Sequence, residues 1–358
     1  MNRHPAGATR VSWAVALVVA SIAALSVQAV AAHGADASDA ARPHATARPH
    51  ATAARVCRGG GRRLTKALGV YTGAADPADA ASFASRTGAH LRVVSDYLPA
   101  GAGWSGMTTN LNWMLRPWAR TGCTLVLGVP LIPTNAAGTR LGSLAAGATG
   151  AYDSYFVTLA RSLVAGGQAH AVLRLGWEFN GNWYPWQVTN ATDAADFVSY
   201  WRHIVDAMRT VRREAFRFAW NPNGMSSFGS AYGPDQAYPG NSYVTYVGTD
   251  VYDQCWCSPE TPANAWSLNY YQAWGLQWLA AFARATGKQI VIPEWGVTIR
   301  PDGHGLGDDP SFITNLTDWV AANDVAWTSY FNYDAPDGSH DLFDPSFPKS
   351  LAVFDMIH

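Results

Sequence analysis

The chain has 358 residues, 48% hydrophobic and 14% charged, which is enough apolar material for one large core and more than a small module needs. Its formal net charge is −1 and no long run of one sign occurs, so the basic stripe of a nucleic-acid binder is missing and no such partner is expected. The 16 Trp, beside 15 Tyr and 13 Phe, exceed what packing usually asks for and suit flat faces on which sugar rings rest. At the N-terminus, Arg3, His4 and Arg10 precede an almost wholly apolar stretch from Val11 to Val30, and Ala29-Val30-Ala31 supplies a small-x-small cleavage site. Residues 1–32 therefore read as a secretory signal, and the mature chain is expected outside the cell as a monomer. An uncleaved anchor is the alternative, because the run approaches spanning length. No second such run follows, so no membrane partner is expected after cleavage.

Residues 33–60 read as a solvated spacer. Here ARPHAT occurs twice, at Ala41–Thr46 and Ala47–Thr52, in a stretch too poor in apolar surface to order itself. From there to His358 short apolar or β-branched runs alternate with segments of helical period. The strand candidates are Ala67–Tyr71, His90–Ser95, Thr124–Val129, Ala171–Trp177, Phe216–Asn221, Tyr243–Val251, Gln289–Pro293 and Val325–Phe331. Between them, Asp76-Pro77 caps one helix. A second starts at Thr192 and carries Phe197, Trp201, Ile204, Val205, Met208 and Val211 on one face. A third runs from Leu268 through Trp274, Trp278 and Phe282 to Gly287. Strands apolar enough for burial on both faces, alternating with helices, imply a parallel sheet. Eight repeats suit a closed (β/α)8 barrel over residues 61–358 better than an open doubly wound sheet, and no Gly-rich phosphate loop follows the first strand.

Cys57, Cys123, Cys255 and Cys257 allow three disulfide connectivities. Pairing Cys255 with Cys257 would close a tight loop and leave Cys57–Cys123 to tie the N-terminal segment to the barrel. Zinc spacing is lacking, so no metal is expected. The Asp302, Asp308 and Asp309 loop lacks EF-hand spacing and reads as solvated.

In such a barrel, function sits at the carboxyl ends of the strands. Strand four ends in Arg174-Leu175-Gly176-Trp177-Glu178-Phe179-Asn180-Gly181-Asn182-Trp183-Tyr184-Pro185-Trp186, and strand seven in Pro293-Glu294-Trp295-Gly296. A Glu directly after a buried run costs several kcal/mol unless it is partnered. Either both Glu178 and Glu294 are structural, paired for example with Arg174, or they are there for chemistry. Glycoside hydrolysis needs one protonated carboxyl for the leaving oxygen and one carboxylate for the anomeric carbon, and strands four and seven face each other across a barrel mouth.

The strand-four segment resembles glycoside hydrolase family 26, mostly β-mannanases with some members acting on β-1,3-xylan or mixed-linkage glucan. The match lies at Arg174, Glu178, Asn180, Gly181, Trp183 and Trp186, of which Arg174, Asn180, Trp183 and Trp186 are expected to bind the substrate. The resemblance implies a retaining endo-β-glycanase with Glu178 as acid/base and Glu294 as nucleophile, a polysaccharide substrate, β-1,4-mannan before the others, and no cofactor. Where the family has His before the acid/base, this chain has Trp177, which offers a stacking face and one N–H. Tyr252 resembles the family tyrosine that hydrogen-bonds the nucleophile, with Asp250 or Asp253 to orient it. Trp220 and Asn221 after strand five, Trp295 beside Glu294, and Trp327, Tyr330 and Asn332 near the end of strand eight are further sugar-site candidates. Trp104, in a Gly-rich loop, is a candidate outer subsite. A secreted polysaccharide-binding barrel without catalysis is the rival, but a pure binder has no reason to hold two acids in these places.

Overall fold

The computed structural model describes residues 56–57, 64–225 and 233–358. Apart from Val56 and Cys57, the leader and spacer expected over residues 1–60 lie outside the described residues. Eight parallel strands close into a barrel. They are β1 (Ala67–Tyr71), β2 (Leu91–Tyr97), β3 (Thr124–Val129), β4 (Val172–Leu175) and β5 (Arg217–Trp220). Next come β6 in two pieces (Tyr246–Gly248 and Val251–Tyr252), β7 (Gln289–Gly296) and β8 (Val325–Phe331). Each strand pairs with its successor, and Ala67 opposite Trp327 joins β1 to β8, which closes the barrel without an edge.

The barrel interior changes character along the strands. Ala67, Val93, Val126, Val172, Ala219, Tyr246, Val291 and Trp327 belong to one apolar cluster, separate from the larger core between sheet and helices. Two residues further along, on the same face by the strand's period of two, stand Ser95, Gly128, Arg174 and Ser329. Apolar filling therefore gives way to polar groups, with Ser95 donating to Ser329 at 2.9 Å. Strict alternation from Val291 would turn Pro293 inward. A register irregularity between Ile292 and Trp295 shifts the count by one and delivers Glu294 to the mouth. Gly128 is required here, because a Cβ would lie 2.5 Å from the Tyr97 ring and 3.4 Å from Trp177.

The expected first helix is Pro77–Thr87, capped by Asp76 Oδ1 accepting from the backbone N–H groups of Ala78 and Asp79. The second, Ala191–Arg209, starts one residue ahead of Thr192 under an Asn190 cap and buries Phe197, Trp201, Ile204, Val205 and Met208. The third is corrected. It breaks into Pro262–Tyr271 and Leu276–Thr286, because Gln272 is extended (ψ 162°) and Gly275 packs so closely that a Cβ would sit 2.5 Å from the Asn269 carbonyl oxygen. Gly287 closes it in the left-handed conformation as expected. Strand six is interrupted at Thr249-Asp250, where the Asp250 carboxylate is held by side chains of other strands. Cys57 pairs with Cys123 and Cys255 with Cys257. Among the described residues no helix is long and apolar enough to cross a membrane.

Candidate active site

Glu294, at the end of β7, has both oxygens occupied by donors. Arg174 Nη1 (2.5 Å) and the Tyr97 hydroxyl (2.7 Å) donate to Oε1, and the Tyr252 hydroxyl donates to Oε2 at 2.8 Å. The other terminal nitrogen of Arg174 pairs with Asp250 Oδ2, which also accepts from Asn221 Nδ2 at 3.1 Å. This cluster is nearly dry, with side-chain exposures of 2% for Arg174, 8% for Glu294 and 0% for Asp250. Burial alone pushes the Glu294 pKa up. The Arg174 charge and the hydrogen bonds from Arg174, Tyr97 and Tyr252 outweigh it and hold the carboxyl below its ordinary value. For Asp250 burial wins over Arg174, and the neighbouring Glu294 and Glu178 charges push the same way, so its pKa lies well above the usual range. One guanidinium faces two carboxyls, and their pKa values are pushed apart, Glu294 down and Asp250 up.

Glu178 is built differently. The chain leaves β4 through Gly176 (φ 54°), and Glu178 itself takes φ 52°, a left-handed conformation that few residues other than glycine adopt. Its backbone is pinned there, the N–H donating to the Asn221 carbonyl (2.7 Å) and the carbonyl accepting from Gly181 N–H (2.9 Å). The carboxylate accepts from Asn223 Nδ2 (2.7 Å) at Oε1 and from Trp183 Nε1 (3.0 Å) at Oε2. Both donors are neutral. Gly181 lets the Trp183 ring fold back over the turn, since a Cβ would lie 2.4 Å from it. Asn180 fixes Asn223 by accepting from its N–H (2.7 Å) and donating to its carbonyl (2.9 Å).

One polar cluster joins the two ends. Asn221 holds the Glu178 backbone with its carbonyl and Asp250 with its amide, and Asp250 shares Arg174 with Glu294. After burial, the charges of both Glu178 and Glu294 raise the pKa of the same hydroxyl, that of Tyr184.

Of the sequence candidates, the structure brings together Glu178, Glu294, Arg174, Asn180, Trp183, Asn221 and Tyr252. It corrects others. Trp177 is 2% exposed, so no stacking face is on offer; its N–H donates to the Tyr184 hydroxyl at 2.9 Å. Trp186 is buried against Tyr184 with its N–H on the Trp177 carbonyl. Trp220, Trp295 and Trp327 are core as well. Trp220 donates to the Ala237 carbonyl, Trp295 packs on Tyr330 and Phe354, and Trp327 fills the lower barrel. The strand period sends these rings into packing rather than to the mouth. Tyr330 is buried, whereas Asn332, half-buried with its amide on Asp341, stays a sugar-site candidate. Trp104 stacks on Tyr155 in an aromatic cluster of its own and is only partly buried, which leaves it a candidate outer subsite. Asp253 does not orient Tyr252. It is fully buried, its carboxyl oxygens meet no hydrogen-bond partner among the described residues, and burial with the nearby Asp309 pushes its pKa up to about 8. Sequence reasoning missed Tyr97 and Asn223. The signal for Tyr97 was its place at the end of β2 with Gly128 opposite, and for Asn223 its place in the Asn-Pro-Asn-Gly turn after β5.

A closed eight-stranded barrel with one acid just beyond β4 and another at the end of β7 is the arrangement of the barrel glycoside hydrolases. Residues 163–296 match Glycosyl hydrolase family 26, the family that the strand-four segment resembles. Endoglucanase H of Acetivibrio thermocellus is 27% identical over 250 residues, 64% of this chain and 24% of that protein. The mannan endo-1,4-beta-mannosidase of Bifidobacterium adolescentis is 28% identical over 157 residues, 43% of this chain and 15% of that protein. The chain thus spans about a quarter or less of these curated relatives. A modular endo-beta-1,4-mannanase from Cellulomonas fimi shares the fold with a TM-score of 0.58 at 19% identity, covering 82% of this chain and 70% of that one.

Proposed function

We propose that residues 61–358 form a monomeric, exported retaining endo-β-glycanase, with Glu294 as nucleophile and Glu178 as general acid/base. The observation that carries this reading is the unequal treatment of the two acids. Glu294 lies under a guanidinium and two tyrosine hydroxyls, which hold its carboxyl below the ordinary pKa, while Glu178 accepts from the neutral donors Trp183 and Asn223 on a left-handed turn. A Glu294 oxygen attacks the anomeric carbon as the glycosidic C–O bond breaks, and the Glu178 proton passes to the leaving oxygen. Water then gives its proton to Glu178 and its oxygen to the anomeric carbon, which releases Glu294. An acid, a nucleophile and water suffice for these steps. The two disulfides fit an oxidising compartment and support export.

The substrate we assign first is β-1,4-mannan, on the family match and the mannosidase relative; the endoglucanase relative supports β-glucan as the second reading. The test is to incubate the protein with mannan, β-1,3-xylan, lichenan, arabinan and α-glucans. New reducing ends should appear with a β-linked polymer, and proton NMR of the first product should show the β-anomer. No release from any polymer would refute the hydrolase reading, and an α-anomer would refute the double displacement.

A further inference from the structure

A cavity of about 290 Å³ opens between helix Pro77–Thr87 and the segment following β8, outside the network around the two acids. Asp79 and Arg86 line it from the helix, and Asn332, Tyr333, Asp334 and Asp341 from the other side. Thr72, just past β1, and Asn332, just past β8, place it by the carboxyl ends of these strands, on the side of the barrel that carries Glu178 and Glu294. Its size is at the lower end of small-ligand sites, and its lining is a phenol ring, a guanidinium, an amide and carboxylates. Such groups pair with vicinal hydroxyls: the guanidinium supplies forked donors, the carboxylates supply acceptors, and the ring faces C–H edges.

The lining is held in place before any ligand arrives. Asn332 Nδ2 donates to Asp341 Oδ1 at 2.9 Å, and the same oxygen accepts from Phe343 N–H at 3.0 Å. The Arg86 guanidinium lies 3.4 Å above the Phe343 ring. The cavity is also joined to the candidate active site by ring contacts. Tyr333 lies 5.5 Å from Tyr71, whose ring meets Tyr97 edge-on at 5.0 Å, and Tyr97 donates to Glu294. Three carboxylates against one guanidinium disfavour an anionic sugar.

We infer that this cavity is a saccharide-binding pocket that holds a neutral glycosyl unit of the bound polysaccharide, away from the bond that is cleaved. The inference rests on the reading of the chain as a polysaccharide hydrolase. Its test uses the intact chain and the double variant Asp79→Ala/Arg86→Ala, both positions being exposed on one helix. Affinity electrophoresis in gels holding soluble galactomannan or lichenan should show the native chain retarded in at least one. In that gel the double variant should bind about tenfold more weakly, as for the loss of a charge-assisted hydrogen bond. Hydrolysis of a short aryl β-glycoside, too small to reach the cavity, should change by less than about twofold. Unchanged retention of the variant, absence of retention of the native chain in both gels, or an equal loss on the aryl glycoside would each overturn the pocket. Equal retention by alginate, a polymer of uronic acids, would overturn its preference for neutral sugars. A chain that cleaves no glycoside but loses polymer binding in the double variant would sink the hydrolase reading and leave the pocket standing.

Discussion

The ends of β4 and β7 present one acid each, by opposite means. At β7 the backbone stays extended, a register irregularity aims the side chain, and a buried cation with two phenols surrounds Glu294. At β4 the strand stops early, the left-handed residues Gly176 and Glu178 aim the side chain, and a neutral indole and a neutral amide donate to Glu178. Charge is concentrated at one end and conformational strain at the other. The difference suits a division of labour in which one carboxylate must stay ionised while buried and the other must gain and lose a proton.

Exchanging each carboxylate for an amide is the most direct way to break that comparison. Glu294→Gln should lower kcat by about five orders of magnitude on every substrate, as for other nucleophile deletions. Glu178→Gln should lower it by about a thousandfold on polysaccharide, the range for general acid–base catalysis, and far less on a dinitrophenyl glycoside whose leaving group needs no proton. Steady-state kinetics on both substrates separate the two, and parallel losses would erase the division of labour.

Removing the cation tests the β7 end more gently. Arg174→Met leaves Glu294 and Asp250 buried beside each other without a counter-charge, and should cost about 3–5 kcal/mol in denaturant unfolding. The sign follows from the lowered Glu294 pKa. A depressed carboxyl contributes stability above its unfolded value and loses it as pH falls through the folded one, so the deficit should be largest above about pH 4 and shrink in acid. Asp250→Asn should be milder, because Asp250 is already driven towards its neutral form.

The same contrast decides what could be read from the sequence. The barrel was legible because eight buried runs alternate with helical periods, and β1, β3 and β8 fall at their expected bounds. Glu178 and Glu294 were legible because a charge directly after a buried run is anomalous. The surroundings were less so. Trp177 looked like a sugar platform, yet its indole is spent on Tyr184, since local sequence does not say which face of a turn is dry. Arg174 was expected to touch sugar and instead carries Glu294 and Asp250, a pairing that depends on register across three strands. Tyr97 stands 197 positions from Glu294, and only barrel closure brings the two together.

Tyr97 offers a finer probe. Tyr97→Phe keeps the ring that packs on Tyr71 and Trp177 but deletes the hydroxyl on Glu294 Oε1. That hydrogen bond favours the ionised form, so the Glu294 pKa should rise and the acid limb of kcat/KM should move to higher pH, with about a tenfold loss at neutral pH. The groups that remain around Glu294 include Arg174, Asp250, Tyr252, Tyr71 and Tyr184. An acid limb that stays in place would show that Arg174 and Tyr252 alone set the ionisation.

The smallest expected effect isolates the strain at β4. Glu178→Gly and Glu178→Ala both remove the carboxylate and its bonds to Trp183 and Asn223, so they share every loss but one. At φ 52° alanine keeps the clash between Cβ and the backbone that glycine lacks. Glu178→Gly should therefore be more stable than Glu178→Ala by about 1 kcal/mol in denaturant unfolding, although glycine normally loses to alanine inside regular structure. Both variants should be equally slow on polysaccharide. If alanine proved as stable as glycine, the turn would not be strained, and Glu178 would sit there at no conformational cost; a glycine advantage with no recovery of turnover would mean that the chain tolerates a less stable turn in order to hold an acid at that place.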